Sequence, residues 1–174
     1  MDAAHFVWAP FLGFLWSWYR LFVPAASGRK RFNVLGAIHA KTHRLVTVAN
    51  DSYINSQSIC ELIEKIAGLG YSNPITLIMD NAAYQHARIV RARAEVFGIE
   101  ILYLPAYSPN LNLIERLWKF VKKECLYSKY YETFFLFRTA ISECLDKVGE
   151  GEYEHAMRNL LTLKFQSFRN VQIV

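Results

Sequence analysis

Apolar and polar positions change rhythm about a third of the way along the chain, and the change divides the predicted elements. Residues 2–8 read as a strand with apolar Phe6 and Val7, followed by a dense aromatic stretch that ends near Pro24. A basic turn at 27–31 leads into the strongly apolar run 32–40. Lys41 to Arg44 turn the chain, and 45–49 (Leu-Val-Thr-Val-Ala) returns. Apolar runs of this length between turn residues predict three consecutive antiparallel strands. From Ser56 the period becomes helical. Ile59, Leu62, Ile63 and Ile66 share one face of a helix capped by Ser56 and running to about Gly68.

Pro74 precedes the short apolar run 75–79, which ends in Asp80 and suits a strand buried on both faces. Residues 87–97 predict a second helix, stopped by Gly98, and 99–104 another buried strand. Pro105 and Pro109 bracket a rigid loop. A third helix is expected from Leu113 to about Cys125, a fourth over 132–148 and a helical tail over 152–163. Three antiparallel strands followed by alternating helices and strands predict an α/β fold with a mixed sheet. No repeat, linker or low-complexity stretch divides residues 1–174, so one domain is expected.

Composition narrows the class. With 53% apolar and 20% charged residues the chain is not disordered, and 174 residues suffice for a core. A net charge of +5 favours a polyanionic partner, although on charge alone a merely soluble basic protein fits as well. Cys60, Cys125 and Cys144 are odd in number and form no C-x-x-C pair, which argues against a disulfide framework or a zinc site and for a reducing compartment. The apolar segment 6–23 approaches the roughly 17–25 residues of a spanning helix. Pro10 and the dense aromatics Phe11, Phe14, Trp16, Trp18 and Tyr19 favour an aromatic hairpin instead, and no basic region precedes the run as a signal peptide requires.

Candidate chemistry centres on carboxylates. The four aspartates are Asp2, Asp51, Asp80 and Asp146. Asp80 closes a buried run, and in open α/β sheets ligands gather at the carboxyl ends of strands. Asp80-Asn81 reads equally well as an Asx turn. Glu115 falls at the third position of a helix that Asn112 can cap. There it is a capping-box glutamate with Lys119 as its i,i+4 partner, or a ligand. Asp2 opens the first strand and reads also as an exposed terminal residue. Three carboxylates at element ends can hold two divalent ions, with magnesium the natural choice for oxygen donors, for phosphoryl transfer.

The surrounding text is more specific than the carboxylates themselves. Asp80-Asn81-Ala82-Ala83-Tyr84-Gln85-His86-Ala87, and Leu102-Tyr103-Leu104-Pro105-Ala106-Tyr107-Ser108-Pro109-Asn110-Leu111-Asn112-Leu113-Ile114-Glu115 with Arg116-Leu117-Trp118-Lys119 after it, resemble the second and third catalytic blocks of DDE transposases. The match is to the mariner-like superfamily, in its bacterial insertion-sequence branch. Thirty-four residues separate Asp80 from Glu115, the spacing typical of that branch. The opening Asp2-Ala3-Ala4-His5-Phe6 is similar to the first catalytic aspartate and its strand, and 28–36 to the second strand and its approach. Relatives commonly carry Asp where Asn110 stands and Pro where Leu113 stands; neither position is a metal ligand in the family.

The resemblance implies a ribonuclease H-like fold with a five-stranded mixed sheet flanked by helices. It implies Asp2, Asp80 and Glu115 as catalytic residues and metal ligands for two Mg2+ ions, with Mn2+ a possible substitute. It implies cleavage at transposon ends, strand transfer into target DNA, self-association on DNA, no membrane partner and a bacterial cytoplasmic, nucleoid-associated location. The family carries a helix-turn-helix DNA-binding region ahead of this domain, which this sequence does not include. Alternatives are a ribonuclease H-like nuclease with another substrate and an inactive nucleic-acid-binding remnant.

Cations offer DNA contacts. Arg29, Lys30 and Arg31 cluster in a turn, and Arg116, Lys119, Lys122 and Lys123 flank Glu115. Arg88, Arg91 and Arg93 read rather as a solvated helix face. Asn81 follows Asp80 closely enough to position substrate, as do Tyr84 and His86, of which His86 reads as a surface or capping residue. Trp118 reads as core, with stacking on a flipped base as the alternative.

Overall fold

A computed structural model describes residues 1–8, 16–20, 22, 30–105, 108 and 111–165. Strands β1 (Asp2–Trp8), β2 (Lys30–Ile38) and β3 (Leu45–Asn50) form an antiparallel sheet in that order. Asp2 stands opposite Gly36, and Phe6 opposite Phe32. After β3 come helix α1 (Ser56–Ala67), β4 (Ile75–Met79), a short 3-10 turn (Ala83–His86), α2 (Arg88–Val96) and β5 (Ile99–Tyr103). β4 and β5 pair in parallel, Met79 opposite Tyr103. Helices α3 (Leu113–Cys125), α4 (Phe134–Glu150) and α5 (Glu154–Leu160) follow among the described residues. The mixed α/β order is the one expected.

Strand alternation sends side chains into two cores. Ala4, Phe6, Phe32 and Val34 meet Leu117, Val121 and Ile141 of α3 and α4. On the opposite face Leu35, Ala37 and Val48 meet Ile59, Leu62 and Ile63 of α1, and Leu77, Met79 and Ile99 of the parallel pair join this second core. The expectation that the strands over 75–79 and 99–104 are buried on both faces is corrected. Ile78 and Leu102, opposite each other in the ladder, are 43% and 50% exposed. The reason is placement: α1 and α2 cover one face of β4 and β5, while α3 and α4 lie over the antiparallel strands.

Local capping also departs from the reading. Asn55, not Ser56, caps α1: its side chain accepts from the Gln57 and Ser58 amides, and Ser58 completes a capping box. Helix α4 starts two residues later than expected because the Thr133 side chain caps it through the Leu136 amide. α2 ends before Gly98, whose φ of 63° is a left-handed conformation suited to glycine. The expected aromatic hairpin falls mostly outside the described residues; Trp16, Trp18, Tyr19 and Phe22 are described and stand open to solvent. No helix among the described residues is long and apolar enough to cross a membrane.

The three-stranded and two-stranded ladders are separate hydrogen-bonded units. They approach each other where β1 begins, and the Met1 nitrogen donates to the Ile78 carbonyl across 2.6 Å.

Candidate active site

Met1 is the junction that gathers the three carboxylates. Its nitrogen binds β4 at Ile78, one residue before Met79 and two before Asp80. Its carbonyl accepts from Asn112 Nδ2 at 3.3 Å, which ties the start of α3 to the start of β1. On the far side of Asp80, the Leu104 amide donates to the Met79 carbonyl at 2.8 Å and fastens the end of β5 to the end of β4. Asp2, Asp80 and Glu115 therefore sit at three element ends that these bonds hold together. The capping-box reading of Glu115 is corrected in part: Asn112 is the N-cap residue, but its side chain makes no cap bond and is spent on Met1.

The three carboxylates share one electrostatic field. Burial, and then the charge of Asp80, push the Asp2 carboxyl above the ordinary range, against a hydrogen bond from the Ala3 backbone and another from Trp118. Burial, then Asp2 and Asp80, raise Glu115, with Lys119 pulling the other way. Burial and Asp80 raise the neighbouring Tyr84 hydroxyl as well. Like charges held close disfavour ionisation, and a cation would remove that penalty.

As placed, the carboxylates stop short of a shared ligand set. Among the described residues no group of three His, Cys, Asp or Glu is arranged to hold a metal ion. Each aspartate instead spends an oxygen on a neutral donor. Trp118 Nε1 donates to Asp2 Oδ2 at 3.1 Å, and Gln85 Nε2 donates to Asp80 Oδ1. The donor chemistry nevertheless fits a hard divalent cation: oxygen ligands only, mutually repelling, with Lys119 as the partial counter-charge.

A pH dependence follows from the directions. The folded-state pKa values of Asp2 and Glu115 lie above 3.8 and 4.5, so the folded chain holds more protons than the unfolded chain just above those values. Stability therefore falls as pH rises through that window, and the penalty is fully present above the folded pKa values. Mn2+ is expected to offset it and so to raise the melting temperature more at about pH 7.5 than at about pH 5, where protons compete. At a hundred times Kd a cation contributes about 2.7 kcal/mol, or roughly 5–11 °C for a domain of this size. A thermal melt with and without Mn2+ at both pH values checks this; an equal shift at both would contradict it.

The predicted cations separate into groups. Lys119, Lys122 and Lys123 are exposed along α3, the helix that carries Glu115. Arg116, expected at DNA, is engaged inside the chain. Its Nη1 donates to the carbonyls of Leu160 and Thr162 at 3.3 and 2.9 Å, Nη2 to that of Lys164 at 3.4 Å, and its guanidinium lies over Phe165. This arginine closes the end of α5, whose last carbonyls need donors. Arg29 lies outside the described residues. Lys30 and Arg31 open β2, while Gly36, six residues along the strand from Lys30, faces Asp2, which puts about 20 Å between that basic pair and the carboxylates. Arg93 pairs with Glu64 at 3.2 Å, and Arg88 and Arg91 are exposed, as a solvated face requires.

Asn81 meets His86 Nε2 through its side-chain oxygen, and the His86 ring stacks on Tyr103 at 4.0 Å. Trp118 is core, 4% exposed, which removes the base-stacking alternative and adds the Asp2 bond that sequence reasoning missed. Gln85 and Gly36 were missed entirely. A Cβ on Gly36 would stand 2.8 Å from Trp118 Cη2 and 3.1 Å from Ile114 Cδ1, so the glycine makes room for the ring that holds Asp2.

The family model for DDE superfamily endonucleases matches residues 20–135, a span that contains Asp80 and Glu115 and leaves Asp2 outside. The insertion element IS630 uncharacterized 39 kDa protein of Shigella sonnei is 30% identical over 91 residues, 52% of this chain and 26% of that relative. Among solved structures, the Mos1 mariner paired-end complex with Mn matches 97% of this chain and 55% of that one, with a TM-score of 0.58 at 13% identity. The Mos1 strand transfer complex matches 97% and 54%, with a TM-score of 0.59 at 15% identity. The chain thus spans about a quarter of the curated relative and about half of each solved chain, and at these identities the structural likeness speaks for the fold. The matched span covers two thirds of the sequence and holds two of the three gathered carboxylates; the chain belongs to the DDE superfamily endonucleases.

Proposed function

We propose that the chain is the catalytic domain of a DNA transposase that cleaves transposon ends and joins them to target DNA. The observation that carries this reading is the joining, from three element ends and in one electrostatic field, of Asp2 to Asp80 and Glu115 of the DDE endonuclease family match. In this reading the two ladders belong to one five-stranded, ribonuclease H-like sheet, with the Met1–Ile78 bond as the first rung between β1 and β4.

Asp2, Asp80 and Glu115 would hold two Mg2+ ions, or Mn2+ in their place. Bound there, the ions would supply Lewis-acid charge neutralisation at a phosphodiester and lower the pKa of water. The chain's own residues present three hard-oxygen donors on a rigid frame, and Trp118 and Gln85 each fix one aspartate. The exposed Lys119, Lys122 and Lys123 on α3 would offer phosphate contacts beside Glu115, and the exposed Asn81, next to Asp80, would offer another. DNA ends and target DNA are the partners, with self-association on paired ends.

The test offers the purified chain two substrates with Mg2+ or Mn2+: duplex DNA carrying the ends of its own element, and an RNA–DNA hybrid. Nicking of the element ends that stops on chelation, with the hybrid intact, is the expected result. Cutting of the hybrid in preference would assign the site to a ribonuclease H-like nuclease. Salt-sensitive DNA binding without nicking in either metal would identify a silent remnant and overturn the proposal.

A further inference from the structure

We propose that Gln85 is a positioning residue for Asp80, fixing the carboxylate for metal binding; the inference rests on the active-site reading above. Gln85 lies in the 3-10 turn and is fully buried, 0% exposed. The turn is clamped from both sides. The Gln85 amide donates to the Ala82 carbonyl at 3.0 Å, and its own carbonyl accepts from Tyr103 Oη at 3.1 Å. The Tyr103 ring carries the stacked His86, which in turn meets Asn81 beside Asp80. The glutamine side chain therefore leaves a backbone held by the end of β5.

The side chain is polarised by its surroundings. Nε2 donates to Asp80 Oδ1, and Tyr84 lies beside the same amide. Oε1 is buried and meets no donor among the described residues. An ionised carboxylate only accepts hydrogen bonds, so turning the amide over would set oxygen against oxygen; the bond to Asp80 dictates the orientation. Burying an acceptor without a donor costs stability, and an apolar side chain of the same length would avoid that cost. The position therefore keeps a destabilising group, and the group faces the carboxylate at the end of β4. Carboxylate torsions are soft, and a fixed donor on one oxygen sets where the other stands. Partners of this kind typically change metal affinity by about 10–100-fold when removed.

Two variants of similar volume, Gln85→Leu and Gln85→Met, remove the donor and the orphaned oxygen together. Mn2+ binding to the full chain without DNA, followed by the electron paramagnetic resonance of the free ion, is expected to weaken about 10–100-fold. The melting temperature in chelator is expected to hold or rise. A fall in melting temperature with unchanged Mn2+ affinity, in whichever variant folds, would make Gln85 a structural residue and overturn the inference. Asp80→Asn separates the two levels of the argument. If it abolishes Mn2+ binding while the Gln85 variants do not weaken it, the inference alone fails. If wild type and Asp80→Asn bind Mn2+ alike, or neither binds it, the active-site reading fails with it.

Discussion

Replacing Asp80 by asparagine is expected to lower metal-dependent DNA cleavage by about a thousand-fold or more, because loss of a ligand removes several kcal/mol of charge stabilisation and each 1.36 kcal/mol is tenfold in rate. Glu115→Gln and Asp2→Asn are expected to do the same. The fold should survive each change. Asparagine at position 80 still presents an oxygen to Gln85 Nε2, and at position 2 an oxygen to Trp118 Nε1. Removing one carboxylate also relieves the repulsion that raises the pKa values of Asp2 and Glu115. For Glu115 that gain is set against loss of a favourable charge in the first turn of α3, worth about 0.3–1 kcal/mol. Without metal, the variants should therefore melt close to the wild type, and they should lose the pH-dependent stabilisation by Mn2+. Cleavage assays paired with thermal melts check both halves. Full activity in Asp80→Asn or Glu115→Gln would sink the assignment. Full activity in Asp2→Asn alone would remove only the residue outside the matched span.

Much of the architecture was legible because it is written in local periodicity. The strands at 2–8 and 75–79 and the helix from Leu113 to Cys125 were read with the ends they have. Asp80 and Glu115 are proposed for another reason, the particular text around them. What could not be read depends on contacts between distant residues. The Trp118–Asp2 bond spans 116 positions and the Asn112–Met1 bond 111. No spacing rule reaches that far, so Asn112 reads as a helix cap, and Trp118 as core or a stacking platform, with no sign of either bond. Arg116 reads as a DNA contact because it flanks Glu115, and the carbonyls it bonds lie 44 to 48 residues further on, beyond any spacing rule. The open faces of Ile78 and Leu102 follow from which strands the late helices cover, and an apolar run carries no record of that. Gln85 did carry a local signal: an amide side chain five residues after a strand-end aspartate.

The same long-range geometry predicts a coupling between Gly36 and Trp118. Gly36→Ala puts a methyl 2.8 Å from Trp118 Cη2, closer than real side chains approach, and 3.1 Å from Cζ2. The ring has little room to retreat. It is buried, stands edge-on to Phe6 at 6.4 Å and is tied by Nε1 to Asp2. Overpacking of this kind costs about 1–3 kcal/mol, or roughly 2–12 °C in a domain of this size. Because Asp2 is the register partner of Gly36, the displaced ring should also loosen the carboxylate and weaken Mn2+ binding. Trp118→Phe alone leaves a void where the larger ring lay and deprives Asp2 of its donor, so it should destabilise by a different route. In the double variant the new methyl occupies part of that void. Its destabilisation should fall short of the sum of the single changes by about 0.5–3 kcal/mol, as expected for residues in contact. Mn2+ affinity should not recover with it, because phenylalanine cannot donate to Asp2. Thermal or denaturant unfolding of the four proteins, with Mn2+ titrations beside it, separates the steric role of Gly36 from the hydrogen-bonding role of Trp118. Strict additivity of the two changes would remove the proposed contact. Recovered metal affinity in the double variant would show that ring packing, and not the indole donor, holds Asp2 in place.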